Sequence, residues 1–152
     1  MYQRILVPVD GSATARRGLQ EAMALADLTG GQLRLLHVVD ELSAAMSMSG
    51  QGVVSADMFQ LLREGGEQVL AQALALAQSR KLPADSVLIE GFTGRLCDHV
   101  LAQAQQWGAE IIVLGSHGRR GVGRMVMGSD AEQIIRTAQV PVLVVRACDP
   151  AA

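Results

Sequence analysis

The sequence predicts an α/β domain built on a parallel β-sheet. Short apolar runs alternate with amphipathic helical patterns along the chain, which is the arrangement of repeated strand–helix–strand units. The apolar runs are nearly continuous rather than alternating, as in strands that are covered on both faces. The crossovers between such parallel strands are expected to be right-handed.

Five apolar runs are predicted to be strands. They cover residues 5–9, 33–39, 87–89, 111–114 and 141–145. The first run ends in Asp10-Gly11-Ser12, a turn sequence that also offers oxygen atoms to cap the next helix. Residues 40–56 follow the second run, are rich in Ser, Met and Gly and have no usable period, so we expect a surface loop there.

Four helices are predicted between the strands, because apolar residues recur on one face of each intervening segment. These faces comprise Leu19, Ala22, Met23 and Ala26 in the first helix, Met58, Leu62, Val69, Ala73 and Leu76 in the second, Cys97, Val100, Leu101 and Ala104 in the third, and Ala131, Ile134, Ile135 and Ala138 in the fourth. Gly30-Gly31 and Gly108 are expected to end the first and third helices. Gly65-Gly66 is expected to weaken the second helix by about 1 kcal/mol per glycine and to bend it.

Composition narrows the class of protein. The chain is 49% apolar and 18% charged, which favours a large buried core over disorder. Its 152 residues have the size of one domain, which we expect to cover residues 1–148 and to leave 149–152 as a tail. No apolar run reaches the roughly 20 residues of a membrane helix, and the first strand begins without a signal peptide.

Charge and cysteine content exclude other classes. A net charge of −2 and an aromatic content of 3% provide neither attraction to nucleic acid nor surfaces on which bases stack. Cys97 and Cys148 lack a CxxC spacing and are expected to be reduced and structural. We therefore expect a soluble cytoplasmic domain that neither binds nucleic acid nor inserts into a membrane.

The glycine-rich stretch at residues 115–129 is the main candidate for a functional site. It reads GSHGRRGVGRMVMGS and lies between the fourth strand and the fourth helix. Glycines let backbone N–H groups approach a ligand, and the helix start presents unpaired N–H groups with a partial positive charge. Together with the arginines, these features predict a cradle for an anion, most often a phosphate.

Three familiar motifs are absent from this stretch. No lysine precedes Ser129, as a P-loop requires, and no third glycine is in place for a dinucleotide fingerprint. The nucleophile elbow GxSxG is absent too. What remains is the pattern G-x2-G-x9-G-S, which is formed by Gly115, Gly118, Gly128 and Ser129.

The general rule for ligand binding in open parallel sheets identifies further candidate site residues. Open parallel sheets bind ligands beyond the carboxyl ends of the strands, at the point where the strand order reverses. That rule selects Asp10 after the first strand, residues 38–40 after the second and residues 115–118 after the fourth. Periodicity does not reveal the strand order, so which of these residues converge stays open at this point.

The four-point pattern resembles the nucleotide-binding signature of the universal stress protein family, G-2x-G-9x-G-[ST]. Three further segments resemble the family in chain order: ILVPVDGS at the first strand, LHVV at the second and QVPVLVV at the last. The resemblance therefore extends over essentially the whole chain.

This resemblance implies a three-layer, doubly wound sheet of order 3-2-1-4-5, a Rossmann-like fold of the adenine-nucleotide alpha hydrolase type. It also implies a site for ATP, or for ADP or AMP, with Mg²⁺ as a possible companion. Asp10 would contact the ribose or a metal, the backbone of Val38 would contact adenine, and the glycines would admit the phosphates. The residues that this places around the nucleotide are Pro8, Val9, Asp10, Val38, Gly115, His117, Gly118, Arg119, Gly128, Ser129 and Asp130.

Family members commonly form homodimers through the last strand, here residues 141–146, from Pro141 to Arg146. The family usually has a neutral residue where this chain has Asp130. A carboxylate suits a helix N-terminus but would compete with a phosphate for the same field. This would disfavour a triphosphate relative to AMP, or to ATP with a bridging metal.

Several of these residues have a purely structural interpretation as well. Asp10 fits an Asx-turn, and Ser129 with Glu132 fits a capping box. His37 lies within a strand and is expected to be a packed core residue. His117 has no carboxylate or nucleophile spaced to support catalysis, so no catalytic residue is nominated.

Two main classes of function follow from the resemblance. One is a nucleotide-binding regulatory module of the stress response that acts as a homodimer, with at most weak ATP hydrolysis. The other is an adenine-nucleotide hydrolase, whose SGGxDS-type loop this chain lacks after the first strand. A third alternative is a nucleotide-free module that acts through protein contacts alone.

Overall fold

The computed structural model describes residues 1–40, 56–91, 93–116 and 127–146. Strands and helices alternate through these ranges in the order β1 (Arg4–Pro8), α1 (Ala13–Thr29), β2 (Gln32–Asp40), α2 (Ala56–Ser79), β3 (Ala84–Gly91), α3 (Leu96–Trp107), β4 (Ile111–Gly115), α4 (Ser129–Thr137) and β5 (Val142–Val145). The predicted loop at 41–55, most of the glycine-rich stretch and the predicted tail lie outside the described residues.

The strands form a single parallel sheet. Its order is β3-β2-β1-β4-β5, and each neighbouring pair is parallel. In the centre, Ile5 of β1 stands between Leu33 of β2 and Ile111 of β4. The predicted α/β class and the strand order implied by the family resemblance are both confirmed.

Helices cover the sheet on both faces, and each face has its own core. The face covered by α1 and α2 buries residues that include Ile5, Val7, Leu19, Leu33, Leu35, Leu70 and Val113. The face covered by α3 and α4 buries residues that include Leu6, Leu36, Cys97, Val100, Ile112, Leu114 and Ile134. Full burial of one such aliphatic side chain contributes about 1.5–3 kcal/mol, so the continuous apolar runs are explained by this three-layer packing.

The predicted helix ends of α1 and α3 are confirmed. Ser12 caps α1, because its Oγ accepts a hydrogen bond from the Ala15 N–H at 3.1 Å. Gly30 and Gly108 follow the two helices with left-handed φ angles of 68° and 67°, a conformation that glycine adopts without steric cost.

The buried stripe of α2 differs from the predicted one. It consists of Gly66, Leu70, Ala73 and Ala77, whereas Leu76 is 41% exposed. Gly66 was expected only to weaken the helix, but it also has a packing role. A Cβ atom there would lie 2.7 Å from Cδ2 of His37. The glycine therefore allows the helix to approach the imidazole ring.

Two other predictions about single core residues have opposite outcomes. His37 is buried, and its Nδ1 lies 2.7 Å from the carbonyl oxygen of Val9, to which it donates; the packed interpretation is confirmed. Ile135 was expected on the buried face of α4, and this is wrong, because the side chain is 42% exposed.

None of the helices in the described ranges combines the length and the apolar character that a bilayer crossing requires.

Candidate functional site

The candidate site lies at the carboxyl edge of the sheet, between β1 and β4. These strands are neighbours, and the chain continues from β1 towards one sheet edge and from β4 towards the other, so this is the switch point of the fold. Asp10 follows β1, and Ser116 follows β4. The Val9 N–H donates to the Leu36 carbonyl at 2.8 Å, which keeps the end of β1 next to β2, where Val38 lies.

The turn after β1 holds Asp10 in a defined position. One carboxylate oxygen accepts the Ser12 N–H at 2.8 Å, and Gly11 between them has a φ of 82°. The Asx-turn interpretation of Asp10 is therefore confirmed. A ligand role for the same half-buried carboxylate is compatible with this turn, because a carboxylate has several further acceptor positions.

Gly115 is explained by packing between α1 and β4. A Cβ atom on Gly115 would lie 2.7 Å from the carbonyl carbon of Thr14 and 2.9 Å from the nitrogen of Ala15. From the other side, a Cβ atom on Gly18 would lie 3.3 Å from the Gly115 nitrogen. The first glycine of the signature is thus required by the close approach of the helix, whether or not a ligand is bound.

Gly128 has a different environment. Its backbone lies at φ −60° and ψ 144°, which any residue can adopt. Among the described residues, the nearest atom to a Cβ placed there is the Ser116 carbonyl oxygen at 3.9 Å. Neither the backbone conformation nor packing against this part of the chain therefore demands glycine at position 128.

Hydrogen bonds join the two sides of the glycine-rich stretch. The Ser116 N–H donates to the Val145 carbonyl at 2.8 Å, and the Gly128 N–H donates to the Ser116 carbonyl at 3.0 Å. Ser116 therefore ties β4, β5 and the start of α4 together. His117, Gly118 and Arg119, which the sequence places in the site, lie outside the described residues.

The start of α4 does not form the predicted capping box. Gly128 is the N-cap and Ser129 is already the first helical residue, so Ser129 is not positioned as a cap. Glu132 accepts from Arg136 at 3.0 Å instead. Because Gly128 has no side chain, the first N–H groups of α4 receive no cap from the residue that precedes the helix.

Asp130 connects α4 with α3. Its Oδ1 accepts a long hydrogen bond of 3.4 Å from the backbone N–H of Cys97, in the first turn of α3. The N-cap of α3 is Arg95, whose guanidinium has donors only and cannot accept such a bond. Asp130 therefore caps α3 from a neighbouring helix.

This contact was not predicted, and no local signal identifies it. Asp130 is an ordinary acidic residue in the first turn of a helix, and its partner lies 33 positions away in the chain. The only hint is that α3 begins with Arg95, a residue that cannot cap it.

The thiol of Cys97 has a structural role. Burial raises its pKa, and the nearby charge of Asp98 raises it further, so the group stays protonated at neutral pH and is no nucleophile. The backbone N–H of Arg95 donates to Asp98 at 3.0 Å and holds the pKa of that carboxyl below its usual range. The described ranges contain no group of three His, Cys, Asp or Glu side chains arranged to hold a metal ion.

A groove of about 540 Å³ lies elsewhere, between α2 and β3. Its floor includes Leu70 and Leu88, and on its rim Arg63 pairs with Glu67 at 3.1 Å and with Glu90 at 3.0 Å. It contains none of the residues that the sequence nominated. Its charged rim is internally paired, so the groove offers no chemistry that competes with the switch point as a site.

The sheet and its helices define a doubly wound α/β domain, a class of fold in which ligands generally bind at the switch point. The family model described as the universal stress protein family matches residues 1–146. The chain belongs to this family.

Individual relatives agree with this assignment. The chain is 30% identical over 146 residues to a universal stress protein of Thermus aquaticus, which covers 96% of this chain and all of the relative. Among solved structures, MJ0577 of Methanocaldococcus jannaschii is 26% identical with a TM-score of 0.82, and the match covers 98% of this chain and 99% of the other.

A further solved structure was determined with a nucleotide. The universal stress protein from Archaeoglobus fulgidus in complex with dAMP is 23% identical, with a TM-score of 0.69 over 95% of this chain and 98% of the other. At 23% identity, this similarity shows that the two proteins share a fold.

Proposed function

We propose that this protein is an adenine-nucleotide-binding regulatory module that binds ATP or a related adenine nucleotide at the switch point between β1 and β4. The observation that supports it most is Gly128, a glycine that neither its backbone conformation nor any described neighbour requires. A glycine at a helix N-terminus leaves room for an anion to contact the backbone N–H groups directly. The first N–H groups of α4, which receive no side-chain cap from Gly128, are the donors proposed for this contact.

Roles for the other residues follow from their places around this edge. Asp10, held by the Ser12 N–H, is proposed to accept from the ribose, and the backbone of Val38 to contact adenine beside Pro8 and Val9. Gly128, Ser129 and the N–H of Asp130 are proposed to hold the phosphates. Gly115, His117, Gly118 and Arg119 complete the proposed site from the glycine-rich stretch.

Magnesium fits this arrangement only as a companion of the nucleotide. Mg²⁺ is usually held by one or two carboxylates together with substrate phosphates, while water fills its remaining positions. Asp10 is the carboxylate in place for this, and the described residues offer no larger donor set. Bound Mg²⁺ would neutralise part of the phosphate charge.

The dAMP complex of the A. fulgidus relative is consistent with the proposal, as a fold of this kind accommodates an adenine nucleotide in that protein. The proposal assigns no catalytic residue. It includes a cytoplasmic location, where adenine nucleotides are abundant, and a homodimer through β5.

Isothermal titration calorimetry with ATP, ADP and AMP, each with and without Mg²⁺, tests the proposal. We expect binding of at least one of them in the micromolar range, about −8 kcal/mol. CTP and CMP serve as controls, since they carry the same phosphates without adenine and should bind more weakly. Absence of heat with every adenine nucleotide would contradict the proposal.

A further inference from the structure

We infer that Asp130 makes this site select nucleoside monophosphates over triphosphates when no divalent metal is present. The inference rests on the proposed function, because it concerns the phosphate end of the same site. Its origin is the fixed position of one carboxylate beside the N–H groups of α4.

The carboxylate of Asp130 is held in place. It lies in the first turn of α4, two residues after Gly128, and its Oδ1 accepts from the Cys97 N–H at 3.4 Å. The residue is half-buried, and the bond to Cys97 favours a position of the carboxylate beside the start of α3. A negative charge therefore stays between the N-termini of α3 and α4.

This charge already occupies part of the positive field of both helix ends. A helix N-terminus carries about half an elementary charge, and a carboxylate next to it offsets part of the attraction for an incoming anion. Asp98 adds a further carboxylate in the first turn of α3, as does Glu132 in that of α4. Each of these two carboxylates is paired with an arginine, Asp98 with Arg95 and Glu132 with Arg136, so the opposing charge in this argument is that of Asp130.

The N–H groups of α4 still suit one phosphate, since donor geometry is unaffected by the neighbouring charge. Each further phosphoryl group adds negative charge at short range from Asp130 and raises the repulsion. Total affinity for a nucleotide also depends on groups other than Asp130, so it does not report on this carboxylate alone. The ratio of affinities among nucleotides does.

The substitution Asp130→Asn isolates this charge. The amide keeps an oxygen that can accept the Cys97 N–H, so the contact between the two helices is retained while the charge is lost. In calorimetry with EDTA, we expect the wild-type protein to bind AMP about tenfold more tightly than ATP, and D130N to bring the two dissociation constants close together. Mg²⁺ should narrow the wild-type difference, because the metal offsets the same charge.

Glu132→Gln is the matched control. It removes one charge from the same helix turn, but the Glu132 carboxylate is exposed and held by Arg136. The ratio of the dissociation constants for ATP and AMP should therefore stay at its wild-type value. Should D130N fold poorly, Asp130→Ser removes the charge and keeps an oxygen acceptor.

The outcomes separate the two proposals. Wild-type protein that binds ATP as tightly as AMP in EDTA, or a ratio that D130N leaves unchanged, overturns the role of Asp130 while nucleotide binding stands. If D130N and E132Q change the ATP/AMP affinity ratio equally, the role of Asp130 is also overturned, because the change would then follow from the net charge of the protein. No binding of any adenine nucleotide overturns the proposed function and this inference with it.

Discussion

Gly115 and Gly128 belong to one sequence motif, but the protein around them accounts only for the first. The backbone of Thr14 and Ala15 occupies the space that a side chain at position 115 would need. At position 128, no described atom lies closer than 3.9 Å to a Cβ placed there. A shared motif therefore contains one glycine that serves the packing of α1 and one that is free to serve a ligand.

The pair Gly115→Ala and Gly128→Ala tests this division. G115A forces a Cβ atom within 3 Å of backbone atoms of Thr14 and Ala15 and should lower the free energy of unfolding by about 1–3 kcal/mol. G128A meets no described atom closer than 3.9 Å and should cost less, about 0.5–1 kcal/mol, because alanine is a poorer N-cap residue than glycine. Urea denaturation measures both values.

Nucleotide affinity should follow the opposite order. G128A places a methyl group where the phosphate is proposed to lie, so its dissociation constant for the nucleotide should rise about tenfold or more. A G128A protein that binds as tightly as wild type would place the phosphates elsewhere on the sheet edge.

At the scale of elements, most predictions that rest on a local pattern are confirmed, although the capping box predicted at Ser129 is not. Strand and helix positions follow from apolar periodicity, and the caps Ser12, Gly30 and Gly108 follow from residue chemistry. The strand order was not available from periodicity and came only with the family resemblance. Strand order depends on which distant segments pair, and no repeat within one segment encodes it.

The errors arise from tertiary packing for the same reason. Leu76 and Ile135 continue an apolar stripe, but each stripe is wider than the surface that the sheet covers, so its margin stays exposed. Conversely, Gly66 is buried because His37 projects towards it from β2. The bond from Cys97 to Asp130 likewise joins two helices whose meeting no local pattern describes.

Adjacent glycines in α2 offer a prediction at this scale. No described atom lies within 4 Å of a Cβ placed on Gly65, whereas one on Gly66 meets His37 at 2.7 Å and Leu88 at 2.9 Å. Gly65→Ala should therefore stabilise the protein by about 0.5–1 kcal/mol, the helix-propensity gain alone. Gly66→Ala should destabilise it despite the same gain.

Thermal unfolding of the two variants in parallel measures the difference, and each serves as the control of the other. Equal stabilisation by both substitutions would mean that the His37 ring does not pack against α2. The comparison also bears on the site, because His37 donates to Val9, the residue directly before Asp10.

At the scale of the whole molecule, the two edges of the sheet differ in character. The β3 edge presents exposed Asp85 and Glu90, and charged side chains are a common protection against strand pairing. The β5 edge, Val142–Val145, is entirely apolar in sequence, and Leu143 is 39% exposed there. An apolar edge strand is better suited to pairing with a partner strand than to contact with solvent.

A second copy of the chain is the partner that we propose for this edge. Two copies related by a twofold axis would place their β5 strands antiparallel and extend the sheet across both subunits, and an isologous pairing of this kind closes without leading to fibres. Light scattering after size exclusion should give twice the 16.1 kDa mass of the chain.

Leu143→Lys should shift the protein to the monomer, because a charge would be buried unpaired at the centre of the interface. Leu28→Lys is the matched control: Leu28 is an exposed leucine (85%) on helix α1 rather than on the edge strand, and this substitution should leave the dimeric mass unchanged. Circular dichroism should show both variants folded, since each side chain lies at the surface.

A monomeric wild-type protein across the accessible concentrations, or a dimer that persists in L143K, would contradict pairing through the last strand. In the expected case the sheet continues through both subunits, and Ser116, which hydrogen-bonds to Val145, would link each proposed nucleotide site directly to the interface strand.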